Sequence, residues 1–426
     1  MNVDFAAGDC GTGPFTWGQE AIWQTIERTW PDDHYFNFGQ VLKLPRARHI
    51  REVAAAVGAL VERHGSLRTL VAERPGTTRA LGQHLEARGR LPVEVVGAAP
   101  RDVLDKLAAT RFDYERDWPL RVALVTEGDL VTHVVLVFCH LAADGFGAEI
   151  AVRDLRMLLV RGRVPGPRPP QPLELARWQA GPEGRRVAAT AAAHWEREHR
   201  RVPATMFAAS SQDAARPPIW RALLASPALD LAVRAVAWRH RVSTSTVLLA
   251  ATAQLAARYG GHRTSAVLPI AANRFRKDTR GIVSTLSQEG LFTLDVDRPF
   301  PDLLRPAEAA AVRAYRSAYH DPADRRRVVA AESERRGEPV HPGCCFNDMR
   351  LADPGPADCP PERLDAALEQ TTLTWPLSQD RLNCRFCVHV SAEGVSLTAD
   401  TRYLSRASME GYLRDLEGLL VETARR

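Results

Sequence analysis

The run Phe138-Cys139-His140-Leu141-Ala142-Ala143-Asp144-Gly145-Phe146-Gly147 sets one imidazole and one carboxylate four positions apart, between an apolar stretch and a glycine-containing loop. An imidazole of near-neutral pKa can take a proton from an attacking amine or hydroxyl, or hydrogen-bond to charge that builds at a reacting centre. Such a group must be held rigidly, and its neighbours are of the right kind. Val131 to Phe138 is almost uninterrupted apolar sequence and reads as a buried strand, while Ala148 to Val160 mixes apolar and charged residues at helical spacing. His140 is therefore expected at a strand end facing a cleft. The plain alternative is an interior histidine whose nitrogens are satisfied. Cys139 could be a nucleophile, but at the end of an apolar strand it reads as a small buried hydrophobe. Gly145 is expected to let the backbone turn where a Cβ would intrude.

The elements that position this run belong to an ordinary globular chain. At 426 residues, 45% hydrophobic and 25% charged, there is material for two domains. The net charge of +5 raises the question of nucleic acid. Lysine occurs only at Lys43, Lys106 and Lys277, and the arginines are scattered among acids, so the basic stripe that nucleic acid requires is missing. Seven cysteines without framework spacing argue against a disulfide scaffold. The start Met1-Asn2-Val3-Asp4 lacks a basic region followed by an apolar one, and no run reaches ~18 consecutive apolar residues. A cytoplasmic protein without membrane association is the expectation.

Arg161 to Pro172 carries five prolines and reads as a linker. It divides the chain into an N-terminal lobe, 1–165, and a C-terminal lobe, 173–426. Both lobes alternate helical segments with short apolar strands. Ile50 to His64 is amphipathic and ends at Gly65, and Val93 to Val96 and Leu120 to Leu124 read as strands. In the second half, Leu229 to Arg239 and Ser245 to Tyr259 read as helices, and Ser265 to Ile270 and Leu291 to Val296 as strands. Leu382 to Val390 and Val395 to Tyr403 form a hairpin, and Ser408 to Ala424 a closing helix. The fold class is α/β with mixed sheets.

Five ordered segments together resemble one family, the condensation domains of nonribosomal peptide synthetases. The loop at His140 matches the second half of their His-His-x-x-x-Asp-Gly motif. Arg63-His64-Gly65-Ser66-Leu67-Arg68-Thr69 is similar to their Arg-His-x-x-Leu-Arg-Thr segment. Phe112-Asp113 with Pro119-Leu120-Arg121 resembles the lead into the active-site strand. Val247 to Leu255 with Ala272-Asn273-Arg274 resembles a helix and strand end of the second lobe, and Phe15-Thr16-Trp17-Gly18-Gln19 sits at the opening motif. The resemblance runs from about residue 14 to the C-terminus. It implies two chloramphenicol-acetyltransferase-like lobes in a V-shaped pseudo-dimer with a central tunnel. It further implies transfer of an acyl or aminoacyl group from the phosphopantetheine of a carrier protein to an amine or alcohol, with no bound cofactor. No carrier-type Gly-Gly-x-Ser site or adenylation loop is found, so carriers are expected on other chains.

The resemblance implies that His140 is the catalytic residue. It also implies that Asp144 points away from the imidazole and pairs with Arg274, which is expected from the second lobe. Cys139 stands where the family has its first His, and Ser284 to Gly290 departs from a segment that in many members ends in Asn-Thr. Trp17, Cys139, Asn347, Trp375 and Ser378 are possible tunnel-lining residues, and each is an equally good core or turn residue. Cys344-Cys345 and Cys384-x-x-Cys387 lack the spacing of a zinc site. Arg325-Arg326-Arg327 reads as a solvated helix face. Two other readings stand beside the condensation enzyme. One is an acyltransferase of the same fold that takes coenzyme A thioesters; the other is a non-catalytic module that docks a tailoring enzyme to a carrier.

Overall fold

The computed structural model describes residues 1–73, 81–208, 214–357, 359–382 and 385–426. Contacts divide the chain into two compact units. The first comprises Met1–Arg186 with Ala272–Ser287, and the second Val187–Ala271 with Gln288–Arg426. The proline-rich stretch lies inside the first unit, and the segment carrying Arg274 is counted with the first unit too. Both differ from the lobe boundaries expected from composition, because a run of prolines marks an extended path and not where contacts change partners.

In the first unit the elements begin with β1 (Asn2–Ala6), β2 (Gly11–Gly13) and α1 (Trp17–Thr29). They continue with β3 (Phe38–His49), α2 (Ile50–Arg63), β4 (Thr69–Glu73), β5 (Leu81–Leu85), β6 (Arg88–Val96) and α3 (Pro100–Ala108). Then come β7 (Leu120–Glu127), β8 (Leu130–Phe138), α4 (Gly145–Arg161) and α5 (Pro172–Ala180). The main sheet has the order β1-β6-β7-β8-β3, and β2-β5-β4 form a small sheet of their own.

β8 explains its own sequence. Val134, Leu136 and Phe138 pack with Val53, Val57 and Leu60 of α2 and Ile150 and Leu155 of α4. Val135, Val137 and the following Cys139 pack on the opposite side with Val103 and Leu107 of α3 and Ile26 of α1. A strand covered on both faces has no polar side to show, which is why its run is continuously apolar instead of alternating. β1 was not anticipated, although Asn2-Val3-Asp4-Phe5-Ala6 alternates exposed and buried positions as an edge strand should.

The second unit begins within α6 (Pro182–His199), which leads to β9 (Ile219–Ala225), α7 (Pro227–His240), α8 (Thr244–Gly260) and β10 (Thr264–Ala271). The chain resumes there with β11 (Gln288–Glu289), β12 (Phe292–Asp295), α9 (Phe300–Ser317), α10 (Pro322–Arg336) and β13 (Cys344–Asp348). It ends with α11 (Pro361–Leu368), β14 (Thr372–Gln379), β15 (Phe386–Ser391), β16 (Gly394–Asp400) and α12 (Arg406–Arg425). The sheet order is β11-β10-β13-β15-β16-β9-β14, with β12 also paired to β10. Phe346, Phe386, Val388, Leu397 and Leu224 turn to a core completed by α7, α8, α9 and α12. Each unit is thus a mixed sheet with helices, α/β as expected. Among the described residues, no helix is long and apolar enough to cross a membrane.

Two side-chain expectations change. Cys345 and Cys387, facing each other in register on the parallel pair β13 and β15, form a disulfide. A pairing 42 residues apart leaves no spacing signature, so the sequence reading did not find it. Cys384 lies outside the described residues. Arg325, expected on a solvated face, instead pairs with Glu289 at 2.5 Å and lies over the Trp195 ring.

Candidate active site

His140 lies two residues beyond β8, inside the turn that follows it. The Cys139 amide donates to the Pro119 carbonyl at 3.0 Å, and the Cys139 carbonyl accepts from the Ala142 amide at 2.9 Å. This turn redirects the chain and leaves the imidazole half-buried. Phe38 and Phe36 meet the ring edge-on, with centroids 5.5 and 6.4 Å away. Nδ1 faces the Thr285 hydroxyl at 3.4 Å. Burial pushes the His140 pKa down; its own carbonyl, the Asp144 charge and the Ala143 carbonyl oppose this without cancelling it. The imidazole is accordingly neutral at pH 7 and able to accept a proton.

Asp144 caps α4, its Oδ1 accepting from the Gly147 amide at 2.8 Å. Its Oδ2 accepts from the amides of Leu286 and Ser287, both at 3.0 Å, and from the Ser287 hydroxyl at 2.9 Å. Arg274 donates to both carboxylate oxygens, at 3.0 and 2.9 Å, and also to the carbonyls of Ala272, Ile282 and Ser284. Burial alone would raise the Asp144 pKa, but Arg274 and the donated amides hold it below the ordinary carboxylate value. None of these bonds goes to the imidazole. The carboxylate therefore acts as an anchor between α4 and the 272–287 segment, not as a member of a His-orienting triad.

Asp144→Asn leaves the Arg274 guanidinium, whose side chain is 9% exposed, without its counter-charge. The expected loss is about 3–5 kcal/mol in urea unfolding. A loss below about 1 kcal/mol would show that the pair does not hold the loop.

The glycines divide the work differently from the sequence reading. A Cβ on Gly145 would meet nothing within 4 Å, so no crowding forces glycine there. Gly147 is the crowded position, where a Cβ would stand 3.0 Å from the Ser284 carbonyl oxygen and 3.3 Å from Arg274 Nη2. Gly18 of α1 abuts the same segment from another side, where a Cβ would overlap the Thr285 carbonyl.

The remaining candidates are dispersed. Trp17 opens α1, nearly buried, its amide donating to Gln179 Oε1 at 3.0 Å. Cys139, expected as a lining residue, is instead enclosed in the apolar cluster of α1 and α3. Burial pushes its thiol up to about 12, and a thiol so held is no nucleophile at neutral pH. Asn347 lies on β13 opposite His389 of β15. Trp375 and Ser378 lie on β14; Trp375 meets Trp220 edge-on at 6.1 Å and has Arg406 over its ring. Sequence reasoning missed Thr285 and Ser287 as individual contacts. The signal available was the departing segment Ser284 to Gly290, which contains both.

Comparison with known proteins now bears on this arrangement. The family model for the condensation domain matches residues 11–293. The chain belongs to the condensation-domain family. Condensation domains act on carrier-bound substrates. Among relatives, the hybrid PKS-NRPS synthetase LUC5 of a Fusarium species is 28% identical over 176 residues, 38% of this chain and 4% of that protein. The isonitrile lipopeptide synthase of Mycobacterium tuberculosis is 26% identical over 330 residues, 71% of this chain and 13% of that protein. This chain thus spans a small fraction of the relatives it matches. Among solved structures, the condensation domain that mediates chain release from the enacyloxin polyketide synthase superposes with a TM-score of 0.74 at 19% identity. That match covers 99% of this chain and 84% of the other, and it shows the shared fold.

Proposed function

We propose that this chain joins a carrier-tethered acyl or aminoacyl thioester to an amine or alcohol, in nonribosomal peptide or related secondary-metabolite synthesis. The observation that carries this reading is the neutral, half-buried imidazole of His140 at the end of β8, with its motif carboxylate committed to Arg274. As the nucleophile adds to the thioester carbonyl, its proton passes to the His140 imidazole. The tetrahedral centre then collapses, the carbon–sulfur bond breaks, and the proton leaves with the carrier's thiol. The product is an amide or an ester. Holding the two reactants together supplies a further share of the acceleration. The carriers are separate chains, the phosphopantetheine arm arrives as part of the substrate, and the reaction is assigned to the cytoplasm.

The deciding experiment offers the same acyl group on a phosphopantetheinylated carrier and on coenzyme A, with product followed by mass spectrometry. The carrier-bound donor is expected to react with at least ~10-fold higher kcat/KM. Equal use of the coenzyme A thioester would replace this reading by a free acyltransferase. Carrier binding without product from any donor would replace it by a docking module.

A further inference from the structure

Thr285 is almost completely buried yet keeps its hydroxyl against the catalytic loop, 145 residues away in the chain. Its position is fixed on several sides. The next two amides are taken by Asp144 Oδ2, the carbonyl of the preceding Ser284 accepts from Arg274, and Gly18 and Gly147 leave room for the backbone to pass. Its hydroxyl has one proton, and that proton is donated to the His140 carbonyl oxygen, which can only accept. Toward His140 Nδ1, 3.4 Å away, the hydroxyl therefore presents a lone pair. Only an imidazole protonated at Nδ1 matches it. The other nitrogen then carries the lone pair that accepts a proton.

We propose that Thr285 is a positioning residue that selects the Nδ1–H tautomer of His140 and so presents Nε2 as the base. This deepens the reading of His140 as proton acceptor and rests on it. A neutral imidazole in the opposite tautomer would turn an N–H toward the nucleophile and could not take its proton. The hydroxyl makes the same choice through two contacts at once, holding both the ring and the carbonyl of the residue that carries it. Serine could do the same; valine, of the same shape, could not.

Three variants test this in the full-length protein: Thr285→Val, Thr285→Ser and His140→Ala. Thr285→Val is expected to lower kcat by ~10- to 100-fold with KM for the donor carrier unchanged within about twofold, and Thr285→Ser to restore most of the rate. Nitrogen-15 spectra of the histidine-labelled protein, with His140 assigned by its loss in His140→Ala, read the tautomer directly. The wild type should show a protonated Nδ1, and Thr285→Val a mixture. An Nε2-protonated His140 in the wild type overturns the proposal. So does wild-type kcat in Thr285→Val. If His140→Ala turns over normally, the reading of His140 fails first and Thr285 loses its role with it. If His140→Ala is inactive while Thr285→Val is not, only the Thr285 proposal fails.

Discussion

His140→Ala is expected to lower kcat by about 10²- to 10⁴-fold, the span usual for removal of a positioned acid–base group. The ring makes one long hydrogen bond and two edge-on aromatic contacts, and its carboxylate neighbour is held without it. Stability should therefore change by no more than roughly 1–2 kcal/mol, so an inactive variant can still be shown to be folded by its unfolding midpoint. What activity remains would reflect the joint holding of the two substrates. Turnover at the wild-type rate would remove the imidazole from the mechanism.

The second large effect is loss of stability in mild acid. His199 and His320 both pack against Trp195, the first tilted and the second edge-on, with centroids 5.7 and 5.3 Å from it. Neither nitrogen of His199, nor Nδ1 of His320, has a hydrogen-bond partner among the described residues. Burial pushes their pKa values down, to about 4 for His199 and about 3 for His320, and the Arg325 guanidinium adds to both shifts. Arg336 and His194 further lower the value for His199, and Glu332 opposes them. The unfolded chain protonates these rings near pH 6.5 and the folded chain does not, so protons favour unfolding. Stability is full above pH 6.5 and falls below it, by about 1.4 kcal/mol per pH unit for each ring until the folded values are reached. Urea midpoints measured from pH 7.5 to 4.5 should drop accordingly, and His199→Gln should flatten the slope by no more than about a third, because His320 and His389, the latter also pushed down to about 4 by burial, keep contributing. A midpoint independent of pH across that range would show that these rings are hydrated in the folded protein.

Much of this was legible in the residue order. The doubly covered strand before His140 announced itself through an unbroken apolar run, and the helix after it through its period. The family resemblance named Arg274 as the partner of Asp144. The sequence could not show that burial enclosed Cys139, or that it left both nitrogens of His199 and Nδ1 of His320 without partners among the described residues, since burial depends on which elements stack. It also could not show that Cys345 faces Cys387, or that Thr285 returns to His140, because such pairings depend on the path of the backbone over tens to hundreds of residues. Gly145 was over-read for a related reason. A glycine next to a motif invites a local explanation, while the crowding that excludes a Cβ comes from Ser284 and Arg274 at Gly147.

The stretch Ala272–Ser287 is severed in sequence from the unit that it serves. Anyone building chimeras from such proteins should treat it as cargo of the front half. A recombinant that exchanges residues 1–186 and keeps the recipient's 272–287 would join a foreign guanidinium and hydroxyl to the loop that carries His140 and Asp144. Crossover points for swapping substrate preference must therefore come in pairs, with sixteen residues travelling alongside a block that ends well before them.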